Sequence, residues 1–143
     1  MAVAVENPKE FVVGADTVVV IDGKVLGKPK DKEDAKKMLK SLSGRSHEVI
    51  TAYTLINLEK NIEITESVKS VVYFKQISDK EIEWYIKSEE AMDKAGAYGI
   101  QGLGSIFVDK IDGDFFAIMG FPINHFIKTL NVLKIPIESL DKI

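Results

Sequence analysis

Residues Phe11 to Leu26 constrain the fold more than any other stretch. Phe11-Val12-Val13 and Val18-Val19-Val20-Ile21 are β-branched and apolar at successive positions, which suits a strand buried on both faces. Asp22-Gly23 follows directly and is the strongest short hairpin signal, so the chain turns back through Lys24-Val25-Leu26. Between the two apolar blocks lies Gly14-Ala15-Asp16-Thr17. A carboxylate inside an apolar strand is costly to bury unless it is paired or bound to a cation. Asp16 therefore reads in two ways. It holds a divalent cation or acts as a general base, or it accepts hydrogen bonds from neighbouring backbone N–H groups. The residues alone leave these readings evenly balanced.

The rest of the chain alternates helix and strand signals. Asp31 to Leu42 predicts a helix, capped by Asp31 and with Ala35, Met38, Leu39 and Leu42 on one face. Gly44 stops it. His47 to Leu58 and Ile62 to Phe74 predict two long strands joined at Glu59-Lys60-Asn61. Ser78-Asp79-Lys80-Glu81 has the spacing of a capping box and opens a helix through about Lys87. Glu89 to Gly104 is irregular. Ile106 to Ile111 and Phe115 to Met119 predict strands joined at Asp112-Gly113, and a last helix spans about Ile123 to Leu133. The pattern gives an α/β or α+β domain with a mixed sheet, one domain over 1–143.

Composition excludes several functions. The 143 residues contain no cysteine, which removes a disulfide scaffold, a thiolate metal site and a cysteine nucleophile. With 19 Lys+Arg against 22 Asp+Glu, the net charge of -3 provides no general attraction to nucleic acid or anionic membrane. No apolar run approaches the roughly 18 residues of a membrane span, and the short apolar start lacks a basic leader. A soluble, cytoplasmic protein is expected.

Other candidates are weaker when taken singly. Lys28, fixed between Gly27 and Pro29, either offers a point charge to phosphate or is an ordinary surface lysine. His47 and His125 are the only histidines and lie far apart in sequence, so His47 is expected to be a hydrogen-bonded structural residue. Glu89, Glu90, Asp93 and Lys94 form either a solvated helix end or a metal-binding or phosphate-facing edge. They run into a segment with glycines at 96, 99, 102 and 104, where backbone can approach a ligand. Gln101 in that segment offers both a donor and an acceptor to a nucleobase edge. The segment is neither a P-loop nor a dinucleotide fingerprint.

Combined, these motifs are specific. Gly14-Ala15-Asp16-Thr17-Val18-Val19, Gly27-Lys28-Pro29, Ser43-Gly44-Arg45-Ser46-His47-Glu48-Val49-Ile50-Thr51 and Asp93-Lys94-Ala95-Gly96-Ala97-Tyr98-Gly99-Ile100-Gln101-Gly102 resemble the Maf family in order and spacing. Gly120-Phe121-Pro122 resembles its Gly-Leu-Pro. The resemblance implies an α/β fold like that of the inosine triphosphate pyrophosphatases, a mixed sheet flanked by helices, with a cleft between two lobes. It implies a nucleoside triphosphate pyrophosphatase that cleaves between the α and β phosphates with a divalent cation, Mg²⁺ or Mn²⁺. By the same resemblance Asp16 is the proton acceptor and cation ligand, Thr17 and Gln101 shape base selectivity, Lys28 faces the phosphates, and Asp93 and Lys94 are additional site residues. The context of Gln101 is similar to the branch acting on dTTP and UTP.

The family pattern also has a strand and a Ser-x-Ser-Pro-Arg-Arg loop ahead of the Gly-Ala-Asp-Thr strand, and the sequence contains neither. An N-terminally truncated domain is therefore expected, with Met1 to Glu10 matching the end of a preceding helix. The partner implied is a nucleoside triphosphate, with a homodimer as the assembly. The alternative function is a weak or inactive paralogue that binds nucleotides or regulates cell division through protein contacts.

Overall fold

The computed structural model describes residues 1–142. Its order is helix α1 (Ala2–Glu6), strands β1 (Val12–Ile21) and β2 (Lys24–Leu26), helix α2 (Lys32–Leu42), strands β3 (Ser46–Asn57) and β4 (Ile62–Phe74), helix α3 (Asp79–Lys87), strand β5 (Val108–Asp112), and helices α4 (Phe115–Met119) and α5 (Ile123–Val132). Short 3₁₀ turns at Glu90–Asp93, Ala95–Ala97 and Gly102–Phe107 fill the stretch between α3 and β5.

The local signals explain these elements. Asp22 and Gly23 both take positive φ, 52° and 74°, and close the β1–β2 hairpin. The Arg45 guanidinium meets the Asp22 carboxylate at 2.5 Å and holds its carboxyl below the usual range. Asp31 caps α2 by accepting from the Asp34 N–H at 2.7 Å. Ser78 and Glu81 form the reciprocal capping box of α3.

The α/β class holds, and one part of it is corrected. The sheet has strand order β2-β1-β3-β4-β5, and every pairing is antiparallel among the described residues, where a mixed sheet was expected. The helical crossover through α2 does join two strands running the same way. Those strands, β2 and β3, are separated by β1, which pairs antiparallel with both, so the crossover creates no parallel ladder.

Three further expectations change. Phe115 to Met119 is a helix, because the Asp114 carboxylate accepts from the N–H groups of Phe116 (2.9 Å) and Ala117 (3.1 Å). The strand before it begins at Val108, after a 3₁₀ turn that reaches Phe107. Finally, β1 is not buried throughout. Val19 and Ile21 are core residues, whereas Val13 through Asp16 are exposed. β2 pairs only with Val19–Ile21, so the first half of β1 is hydrogen-bonded on one side, to β3.

Two apolar clusters flank the sheet. The larger joins Val19, Val49, Val72 and Phe74 to Leu39 and Leu42 of α2 and to Ile82, Tyr85 and Ile86 of α3. The smaller joins Tyr53 and Leu55 to Phe126 and Leu130 of α5. His47 and His125 fall in separate surroundings. His125 Nδ1 lies 2.9 Å from Tyr53 Oη, and His47 Nε2 lies 2.6 Å from Tyr98 Oη. His47 is thus the buried, hydrogen-bonded residue that the sequence led us to expect.

Burial pushes the His47 imidazole down to about 4, and its Nδ1 has no hydrogen-bond partner among the described residues. The unfolded chain, with an ordinary imidazole near 6.5, binds this proton more readily than the fold does. His47 therefore leaves stability intact above about pH 6.5 and lowers it as the pH falls towards 4. Between pH 7 and pH 5 the expected loss is about 2 kcal/mol. Urea unfolding at the two pH values measures it, and His47→Gln, which keeps a partner for Tyr98, should remove most of the difference.

Candidate functional site

A cleft of about 630 Å³ opens beside β1. It is lined by Ala15, Asp16 and Thr17 of β1, by Lys28 beyond β2, by the segment from Glu90 to Gly102, and by Ile118-Met119-Gly120. Six sequence-predicted residues thus come together from three separated stretches: Asp16, Thr17, Lys28, Asp93, Lys94 and Gln101.

The strand places the first two. Asp16 is opposite Ala52 and Thr17 is opposite Thr51 across the β1–β3 ladder. Asp16 is exposed, so the burial cost that made it conspicuous in sequence does not arise. Its Oδ1 accepts from the Thr17 N–H at 3.0 Å. The backbone-accepting reading is therefore true of one oxygen, while the carboxylate as a whole remains on the cleft wall.

Lys28 is held by its neighbours. The Gly27 carbonyl accepts from the Gly96 N–H at 3.1 Å, which ties the lysine loop to the glycine-rich segment. Among the described residues Lys28 has no ion-pair partner within 4.0 Å, so its charge is available to a ligand. Lys94 differs: its ammonium is 3.7 Å from Asp93.

The glycine-rich segment has a fixed shape, and Glu90 fixes it. The Glu90 carboxylate accepts from the N–H groups of Leu103 (3.1 Å) and Gly104 (3.2 Å) and from the Tyr85 hydroxyl (3.0 Å). Tyr85 in turn accepts from the Gly99 N–H at 3.2 Å. Burial first, and Glu90 beside it, push the Tyr85 phenol upward, so it remains a donor. Sequence reasoning placed Glu90 only in a charged cluster. The structure makes it the clamp that folds the loop around Gln101. Gly96 has φ 74°, and a Cβ there would sit 3.1 Å from Val19. Both facts call for glycine.

Also on the cleft lining, the Gln101 side-chain nitrogen lies 3.0 Å from Met119 Sδ. Met119 carried no sequence signal of its own, and Tyr98 and Thr51 stood inside the family-like motifs with no role assigned to them. Each becomes visible only when the 115–119 segment, the glycine-rich segment and β3 meet.

The donor set sets limits on a metal. Among the described residues no group of three or more His, Asp or Glu side chains is placed to hold a cation. A dedicated protein cage is therefore not what the cleft offers. It fits the other arrangement open to Mg²⁺, in which one or two carboxylates share the ion with substrate phosphate oxygens and water; Asp16, Glu90 and Asp93 are the carboxylates that line the cleft. No helix among the described residues is long and apolar enough to cross a membrane.

Known proteins have sequences similar to this one. The family described as Maf-like protein matches residues 1–133. The dTTP/UTP pyrophosphatase of Fusobacterium nucleatum is 54% identical over 141 residues, covering 99% of this chain and 73% of that protein. The dTTP/UTP pyrophosphatase of Pyrococcus furiosus is 50% identical over 129 residues, covering 90% and 67%. That of Clostridioides difficile is 53% identical over 124 residues, covering 87% and 64%. The chain thus spans about two thirds to three quarters of the length of these relatives. A match across nine tenths of the sequence, with the motifs converging on one cleft, establishes that this chain belongs to the Maf family.

Proposed function

We propose that the cleft binds a pyrimidine nucleoside triphosphate, dTTP or UTP, and hydrolyses it to the nucleoside monophosphate and pyrophosphate. The observation that carries this reading is the convergence of Asp16, Lys28 and Gln101 on one cleft in a chain about half identical to dTTP/UTP pyrophosphatases.

The chemistry follows from what each group can do. Lys28, which has no ion-pair partner among the described residues, brings a positive charge to a cleft that must accept several phosphate charges. Asp16 presents a carboxylate oxygen that can take a proton from water as the water attacks the α-phosphorus. The broken bond is that between the α-phosphorus and the bridging oxygen, and pyrophosphate leaves with that oxygen. A divalent cation, when bound, withdraws charge from the phosphoryl oxygens and eases departure of pyrophosphate. Gln101 and Thr17, which both line the cleft, contact the base, and Asp93 with Lys94 borders the phosphate end.

The test is pyrophosphate release from dTTP, UTP, CTP and GTP with Mg²⁺ or Mn²⁺. Release from dTTP and UTP above the others supports the reading. Release from none of them, with nucleotide binding intact, would instead favour a nucleotide-binding protein without hydrolysis.

A further inference from the structure

A chain of three groups runs from the cleft into the core. Thr17 Oγ1 lies 2.8 Å from Thr51 Oγ1, and Thr51 Oγ1 lies 2.6 Å from the Ala117 carbonyl oxygen. Thr51 is completely buried, and Ala117 is buried with it. Thr17 is half-buried and lines the cleft.

The direction of these bonds follows from the chemistry of the groups. A carbonyl oxygen only accepts, so the single hydroxyl proton of Thr51 must point at Ala117. Turned the other way, two oxygens would face each other at 2.6 Å with no proton between them. Thr51 therefore has only a lone pair to offer Thr17, and the Thr17 hydroxyl must spend its own proton on that bond. What Thr17 has left for the cleft is acceptor capacity alone.

This polarity has a consequence for the base, if the cleft is the pyrimidine nucleotide site proposed above. Uracil and thymine carry a ring N3–H between two carbonyls, so the centre of that edge is a donor. Cytosine carries a bare N3 there, an acceptor. We propose that Thr51 is a specificity-positioning residue: by committing its proton to Ala117 it locks Thr17 as an acceptor, and the cleft thereby selects bases that donate from a ring imide N–H. The Gln101 carboxamide also lines the cleft, and with one of its two N–H groups directed at Met119 Sδ it can serve a flanking carbonyl with the other. Against cytosine, Thr17 opposes lone pair to lone pair, and a buried polar mismatch discriminates more strongly than a lost apolar contact does.

The experiment compares kcat/KM for UTP, 3-methyl-UTP and CTP in the wild-type protein, Thr51→Ser and Thr51→Val. Wild type should prefer UTP to CTP and lose about 100-fold or more on 3-methyl-UTP, which has no N3–H. Thr51→Ser keeps the hydroxyl and should keep the UTP/CTP ratio. Thr51→Val frees the Thr17 hydroxyl to turn towards the cleft, and the ratio should narrow by about 10-fold. A merely structural role would lower both substrates together and leave the ratio unmoved, which would overturn the proposal. Equal turnover of UTP and 3-methyl-UTP by wild type would overturn it without any variant, whether or not Thr51→Val folds. If no triphosphate is turned over, the affinities of UMP, 3-methyl-UMP and CMP give the same comparison. Hydrolysis would then have failed while selectivity is still decided. Binding of none of the three would overturn both.

Discussion

Asp16→Asn should lower kcat for UTP by about 10²–10⁴-fold while leaving the fold unchanged. The stability half of this expectation rests on exposure: Asp16 is on the surface of the cleft, and its one hydrogen bond, from the Thr17 N–H, can be accepted equally well by an asparagine carbonyl. The activity half rests on the loss of a proton acceptor, since an amide cannot take the proton that leaves the attacking water. The same variant separates the two roles open to this carboxylate. If Asp16 also shares the cation, the Mg²⁺ concentration for half-maximal rate should rise several-fold in Asp16→Asn. If it acts on water alone, that concentration should stay put while kcat falls. Steady-state pyrophosphate release across a Mg²⁺ titration, with melting curves as the control, reads all of these quantities. Turnover equal to wild type would remove Asp16 from the chemistry.

Much of the scaffold was legible because its signals are local. Asp22-Gly23, the Asp31 cap and the Ser78–Glu81 box each act within four residues, and each forms as the sequence indicates. The errors share a cause. Phe115 to Met119 is apolar enough for a strand, and only the Asp114 carboxylate, bonded to two N–H groups ahead of it, makes it a helix. The exposure of the apolar first half of β1 depends on which strands lie beside it, β3 alone among the described residues, and the residues of β1 do not encode that. The candidate site divides in the same way. Asp16, Lys28 and Gln101 stand out as polar groups in apolar or glycine-rich surroundings. Glu90 and Thr51 act through partners 14 and 66 residues away, the Gly104 N–H and the Ala117 carbonyl, and no local pattern announces such a pairing.

The glycine-rich segment should be the least tolerant part of the chain, and Gly104→Ala should disrupt it more than any single change to the cleft-facing side chains disrupts stability. A Cβ at Gly104 would lie 2.3 Å from the Gly99 carbonyl oxygen, 3.0 Å from the Tyr85 hydroxyl and 3.2 Å from the Gly99 nitrogen. Two of these three are backbone atoms, so no rotamer change relieves the clash, and the chain near Gly99 or Gly104 must move. That movement strains the bond from the Gly104 N–H to Glu90 and the bond from the Gly99 N–H to Tyr85. Overpacking of this kind costs about 1–3 kcal/mol, and losing a charge-assisted bond adds about 1.5–3 kcal/mol. A total near 3–5 kcal/mol is therefore expected in urea unfolding. Gly102 tests the same clamp from its other side. There the nearest atoms to a Cβ belong to the Glu90 carboxylate, at 2.8 Å, and φ is 67°. Gly102→Ala should also be costly, because the positive φ disfavours any side chain and the added Cβ pushes the Glu90 carboxylate away from the Leu103 and Gly104 N–H groups. Equal small losses at both positions would mean that the loop is soft and that Glu90 does not hold its shape.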